Sequence, residues 1–257
     1  MLKKRIIFTL LFNENYFVLS RNFNLQKVGD INWLEKNYNF KETAKYIDEL
    51  ILLNISRKPE FFNDFISVLK KISSKVFVPI SAGGGITSFD MVNEVIKSGA
   101  DKVVMNSAFL LNKGLIKKIV NTYGSQSLIG SIDYKSNNNI EKIMIQNGKK
   151  EIKNDFKNYI NFIIKNGVGE IYLNSIDRDG TGQGMDLNII NKYKKIFKIP
   201  TILVGGAGNA NHFYDAILNK EINAVATANL YNFVGNGLKN ARNILINKNI
   251  DLPKWEY

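Results

Sequence analysis

The chain repeats itself at a fixed offset. Residues 77–108 read FVPISAGGGITSFDMVNEVIKSGADKVVMNSA, and 121 positions later residues 198–229 read KIPTILVGGAGNANHFYDAILNKEINAVATAN. No gap is needed. Pro79 falls on Pro200, Gly84 on Gly205 and Gly85 on Gly206. The same offset places Glu49 on Glu170, Ile55 on Ile176 and Arg57 on Arg178. A long period over half a chain means two copies of one half-domain. Each copy reads as strand–helix units in series, which predicts an α/β fold: a closed (βα)8 barrel built from two homologous half-barrels.

Eight short apolar, branched runs supply the strands: 5–11, 50–55, 76–82, 102–106, 127–133, 171–175, 201–204 and 224–227. Between them apolar residues recur at helical spacing. Phe61, Phe62, Phe65, Val68 and Leu69 mark one helix, and Ile160, Phe162, Ile163 and Ile164 another. Alternation of this kind argues for parallel βα units. Two connections are long, 13–30 and 135–154. The second carries NNNIEKIMIQNGKKEI, which predicts a hairpin turning at Asn147-Gly148. No linker or low-complexity stretch interrupts the chain. One barrel over 1–257 is the expectation, with half-barrels of roughly 1–123 and 124–257. A single barrel of this type takes about 250 residues.

Composition excludes several classes. The sequence has no cysteine, so disulfides and thiolate chemistry are absent, and the lone His212 rules out a histidine metal cluster. No cofactor or metal is expected. Apolar runs fall short of the roughly 20 residues of a membrane span. The basic, apolar start, MLKKRIIFTLLFNENYF, lacks a small-residue cleavage site and reads on as a first strand. A cytoplasmic protein with no membrane partner is expected. The net charge of +12 raises nucleic acid as a partner, yet only five of the 35 basic residues are arginine and the lysines are scattered. A weak pull toward anionic partners is the better reading.

The working face of such a barrel is built by the loops after its strands. Gly83, Gly84 and Gly85 follow the third strand, and Gly205 and Gly206 the seventh. Glycine lets backbone amides approach a phosphate, and a helix N-terminus beyond adds its dipole. Asn106 and Ser107 lie beside the first turn, Ala228 and Asn229 beside the second. Two such cradles on opposite sides suit a small molecule with two phosphates. Turn glycines with no ligand are the competing reading.

The ordered strings KRII (4–7), GGGI (83–86), GADKV (99–103), NSA (106–108), YGSQ (123–126), SID (131–133), DRDGT (177–181) and GGAG (205–208) resemble the cyclase subunit of imidazole glycerol phosphate synthase, the HisF-like family. The resemblance covers nearly the whole chain. It implies a glutaminase (HisH-like) docked on the N-terminal face. Ammonia passes through the barrel to a bisphosphorylated substrate at the other end. Of the family's two catalytic aspartates, Asp133 keeps the strand-five position, while the strand-one position is Leu11. The first-loop lysine falls on Leu19, a strand-two aspartate on Asn54, and two serines of the second phosphate site on Val204 and Asn229. The first cradle is intact by this alignment and the second altered. Glu14 is the one acid near the missing strand-one group, and it is displaced from the strand end.

The opposite face keeps the family's ammonia gate: Arg5, Glu49, Lys102 and Glu170 all match, and Asp101 matches a residue at the glutaminase interface. A salt-bridged plug is the competing reading of the four charges, and an ordinary turn aspartate that of Asp101. Conduction kept and cyclase chemistry damaged resembles the glycosyl-amidation branch (WbuZ type), which implies a separate sugar amidotransferase as a second partner; the alternatives are an imidazole glycerol phosphate synthase cyclase of histidine biosynthesis and a non-catalytic scaffold that activates a glutaminase. Asp177, Asp179, Gly180 and Thr181, after strand six, either orient a substrate or structure their loop. His212 reads as an ordinary helix residue. Tyr231, Phe233, Trp255 and Tyr257 read as packing of the C-terminus.

Overall fold

The computed structural model describes residues 3–37, 40–56, 58–138, 140–229 and 236–254. The aromatic residues 231, 233, 255 and 257 lie outside these. Eight parallel strands form the barrel: β1 (Arg5–Asn13), β4 (Glu49–Asn54), β5 (Ile80–Gly83), β6 (Lys102–Met105), β7 (Leu128–Asn137), β10 (Glu170–Ser175), β11 (Thr201–Val204) and β12 (Ala224–Thr227). Each pairs with the next, and β12 pairs back onto β1 through Arg5–Ala224 to Phe8–Thr227, closing the ring. The expected (βα)8 barrel is what the chain forms.

The strands match the expected runs with one correction. The third begins at Ile80, not Val76. Pro79 has no N–H to give a ladder, and Phe77 stands 79% exposed, so 76–79 cross the barrel floor as a connection.

Helices cover the outside, among them α1 (Ile31–Asn37), α2 (Phe40–Ala44), α5 (Ala108–Leu111) and α6 (Lys113–Tyr123). In α3 (Phe62–Ser73) the buried residues Phe65, Ile66, Leu69 and Ile72 fall on one face at helical spacing, and Phe65 and Leu69 are fully buried against the sheet. Burying such side chains contributes about 1.5–3 kcal/mol each. Helix α4 (Phe89–Lys97) starts where Ser88 accepts the Met91 N–H at 3.2 Å, and α9 (Ala210–Ile217) where Asn209 accepts from Asn211 and His212. These caps fix the helix N-termini beyond the two glycine turns. Helix α7 (Phe156–Lys165) buries Tyr159, Ile160 and Ile163, and α10 (Gly237–Asn247) closes the ring. From α10, Arg242 pairs with buried Asp48 at 2.9 Å, tying the last helix to the start of β4.

Both long connections are hairpins. β8 (Ile140–Ile145) pairs antiparallel with the end of β7 and with β9 (Lys150–Ile152), turning through Gln146, Asn147 and Gly148, all at positive φ. This is the expected hairpin. The long connection after β1 folds the same way, as β2 (Tyr16–Arg21) and β3 (Asn24–Gly29). Its two turns are Glu14-Asn15 and Asn22-Phe23, four non-glycine residues with φ between 48° and 69°. Without a glycine at either turn, the usual hairpin signal was missing.

Candidate functional site at the barrel mouth and floor

A cavity of about 1320 Å³ opens at the C-terminal ends of the barrel strands. Asp133, Leu11, Gly84, Gly85, Asn106, Ser107, Gly205, Gly206, Ala228, Asn229, Asp179 and Gly180 all line it. Of the loop after β10, Asp177 and Thr181 are not among its walls.

Asp133 lies midway along β7, where the strand runs on from the barrel into the hairpin with β8, and it lines this cavity. It accepts hydrogen bonds from Asn106 Nδ2 at 2.9 Å and Asn174 Nδ2 at 3.1 Å. Burial pushes its carboxyl up to about 7, against the pull of those two donors, and nearby Asp179 adds to the rise. A group with that value exchanges a proton near neutral pH. Leu11 shares the cavity wall with Leu53, its neighbour in the β1–β4 ladder, so the mouth is apolar on that side. Leu19 faces a small separate crevice beside β1. Asn54 folds its amide back onto Ser56 N at 3.1 Å, and Val204 lines the cavity. Glu14 sits at the rim, paired with Lys58 at 3.2 Å.

The two glycine turns share one geometry but differ in their support. Gly84 has φ 95°, and a Cβ there would come within 1.9 Å of the Asn54 carbonyl. Gly205, its counterpart in the repeat, has the same φ, and a Cβ there would come within 2.8 Å of the Ser175 carbonyl. Neither position admits another residue. Around Gly85 the space is open, the nearest atom to a Cβ being Asn54 Nδ2 at 3.9 Å. At the second turn the Gly206 carbonyl instead accepts Gly184 N–H at 2.8 Å, so the β10–α8 loop (α8, Leu187–Lys192) packs directly against it.

The loop after β10 is an anchor for the first hairpin. Asp179 accepts from Ser20 Oγ and from Phe23 N. Its carboxyl is raised mainly by burial. Gly180 lies under the Ser20 carbonyl, and Asn22 donates to the carbonyls of Ile176 and Asp177 at 3.0 Å. Asp177 accepts Ser136 N at 2.6 Å, and Thr181 donates to the Arg178 carbonyl at 2.8 Å. The second hairpin is tied down too: Asn147 donates to Ile55 O at 2.9 Å, and Gln146 N to Ser107 Oγ at 3.3 Å. Phe23 and Gly148 touch where the two hairpins meet over the mouth. Asn229 donates to Ser20 O at 3.1 Å, leaving its buried Oδ1 without a hydrogen bond. His212 accepts Gly208 N at 3.1 Å, a local loop contact.

At the barrel floor, Arg5, Glu49, Lys102 and Glu170 close a ring. Arg5 bonds Glu49 at 2.8 Å and Glu170; Lys102 bonds Glu49 and Glu170, each at 3.1 Å. Ser81 donates to Glu49 as well. Glu49 and Glu170 are buried, and two cations against two anions leave the ring neutral. Burial at such a site is tolerable only with this mutual pairing. Asp101, exposed nearby, accepts Ile80 N at 2.8 Å. Asp48 does the same for Ile6 N and Asn223 for Thr201 N, so all three residues extend a neighbouring strand's ladder by one bond.

Tyr172, Thr9 and Asn174 are the residues that sequence reasoning missed. Period-two spacing from Glu170 already places Tyr172 and Asn174 on the inward face of the same strand.

The molecule is therefore a (βα)8 barrel with a neutral charged ring closing one end and an acid-bearing cavity at the other. The family described as histidine biosynthesis protein matches residues 22–233, and the chain belongs to that family. It is 44% identical over 256 residues to a protein of Parasynechococcus marenigrum named "Putative imidazole glycerol phosphate synthase subunit hisF2", covering 99% of this chain and 95% of that one. It is 34% identical to imidazole glycerol phosphate synthase subunit HisF of Chlorobium limicola, over 97% of this chain and 98% of that one. The same subunit of Clostridium botulinum is 35% identical, over 95% and 96%. Among the described residues no helix is long and apolar enough to cross a membrane.

Proposed function

We propose that this chain is the ammonia-conducting barrel of a glutamine-dependent complex in the cytoplasm. A HisH-like glutaminase docks on the N-terminal face around Asp101, and ammonia passes the ring of Arg5, Glu49, Lys102 and Glu170 toward Asp133. The observation that carries this reading is the placement of a neutral, paired ring and of the Asp133 carboxylate, held by Asn106 and Asn174, at opposite ends of one barrel. A docking scaffold needs only a surface. The halves 1–123 and 124–257 act as equivalent half-barrels, which the matched glycine turns support. The test is coupling: in the mixed complex, ammonia reaching the acceptor per glutamine hydrolysed falls in Lys102→Ala. If hydrolysis and coupling both stay unchanged, the ring is a structural plug.

The acceptor has two readings. Leu11 favours glycosyl amidation, in which a separate sugar amidotransferase uses the ammonia to convert an acetamido or carboxyl group on a surface-polysaccharide sugar. An acid/base pair contributes about 10²- to 10⁴-fold, and here one member is a leucine. The relatives' names favour the cyclase of histidine biosynthesis, and retained Asp133 and the open first cradle at Gly84 and Gly85 suit a phosphorylated substrate. Purified chain given the bisphosphorylated ribosyl substrate and ammonium decides: turnover at the rate of an ordinary cyclase sinks the amidation reading.

A further inference from the structure

Between the floor ring and the mouth lies a layer that neither the charges nor the glycine turns assign. Alternate residues of a strand share a face, so β10 presents Glu170, Tyr172 and Asn174 in turn along the barrel interior. Glu170 belongs to the floor ring and Asn174 holds Asp133. Tyr172 stands between them. On β1 the same alternation places Thr9 between the Arg5 end and Leu11.

Tyr172 and Thr9 are 3% and 2% exposed, and their hydroxyls meet at 3.3 Å. β1 and β10 are not neighbours in the sheet, so this contact spans the lumen. Both residues line the base of the mouth cavity. Tyr172 packs with Ile7, Ile51, Ile129 and Ile202, an apolar layer of the barrel interior.

Resting on the conduction reading above, we infer that the Thr9 and Tyr172 hydroxyls form a binding station for one molecule of neutral ammonia, and that their direct bond closes the lumen between passages. Ammonia donates an N–H to Thr9 Oγ1 while its lone pair accepts the Tyr172 O–H, so one bond is exchanged for two. The direct bond is long beside the usual 2.7–2.8 Å for paired hydroxyls, roughly, and opens readily. The apolar layer around the two hydroxyls carries no counter-charge, so an ammonium ion would lose its hydration uncompensated where neutral ammonia passes. Burial raises the Tyr172 hydroxyl above its ordinary value, keeping it a donor throughout the neutral range.

The test uses the whole chain labelled with 3-fluorotyrosine, the Tyr172 fluorine resonance being assigned by its loss in Tyr172→Phe. Ammonium chloride is titrated against potassium chloride of equal ionic strength over a range of pH. The expected result is a saturable shift of that resonance with ammonium alone, growing with pH as ammonium gives up its proton. Thr9→Val weakens the response roughly fivefold, the effect of losing one hydrogen bond, and Thr9→Ser restores it. A response unchanged in Thr9→Val overturns the paired station. A resonance that ignores ammonium, in a chain whose glutaminase complex still couples, overturns the station alone. If coupling is absent as well, the conduction reading falls with it.

Discussion

At the floor of the barrel four ionised side chains from four strands meet in one layer and neutralise one another. At the mouth Asp133 stands among Asn106, Asn174, Leu11 and Leu53, with its carboxyl pushed up to about 7. The difference follows from what builds each end. Floor positions are strand residues of fixed direction, so each charge has its partners built in, and losing one strands the rest. Mouth residues sit towards strand ends and in loops, where side chains change with less effect on the scaffold. The floor is therefore the more constrained end of the barrel and the mouth the more variable one.

The comparison breaks most visibly at Glu49. It is buried and answers Arg5, Lys102 and Ser81 together. Glu49→Ala is expected to lower unfolding stability by about 3–5 kcal/mol, the usual effect of leaving buried charge unpaired. Urea denaturation measures it, and a loss under about 1 kcal/mol would mean the ring is solvated and not held by pairing.

At the mouth, Leu11→Asp is expected to leave stability nearly unchanged and to gain cyclase turnover of about 10²-fold or more over the parent with ammonium. No gain would show that the mouth lacks cyclase geometry beyond position 11.

Asp133 sharpens the contrast through pH. Its folded value lies above the unfolded 3.8. The native state therefore binds more protons between about pH 4 and pH 7, and stability is greatest at the acid end and falls as pH rises through that window. Two hydrogen-bond donors and partial exposure limit the fall to roughly 1–2 kcal/mol. Denaturation midpoints of the parent and Asp133→Asn at several pH values test it: the variant should lose that slope. A parent stability that rises over the same window would contradict the raised value.

The smallest effect separates the two cradles. Phosphate or sulfate soaked into crystals is expected beside Gly84 and Gly85 at lower concentration than beside Gly205 and Gly206. The first turn has open space at Gly85, while loop backbone packs on Gly206 and Val204 adds an apolar wall. Equal occupancy, or anion only at the second turn, would show that those substitutions do no harm.

Much of this was legible in the chain. The 121-residue offset and the alternation of branched runs with helical patterns specified the barrel, because strand–helix periodicity is local and a repeated half must close on its twin. Arg5, Glu49, Lys102 and Glu170 were readable as one layer, since all four begin strands. The turn at Asn147-Gly148 announced its hairpin. The glycine-free turns at Glu14-Asn15 and Asn22-Phe23 did not: the second is held by Asp179 and Ile176 from more than 150 residues away, and Glu14 in the first pairs with Lys58. The third strand's late start needed the neighbouring ladder.

Tertiary structure alone decided the rest. Asp133 acquires its raised carboxyl only because folding buries it and brings Asp179 near, against the two hydrogen bonds from Asn106 and Asn174. Asp177 and Thr181, adjacent in sequence to a cavity residue, are turned to loop contacts by hydrogen bonds with Ser136 and Arg178. Thr9 and Tyr172 carry no motif, and only barrel closure brings them together across the lumen. Local pattern sets which face a side chain takes, while distance, burial and charge at a site depend on residues that the chain brings from afar.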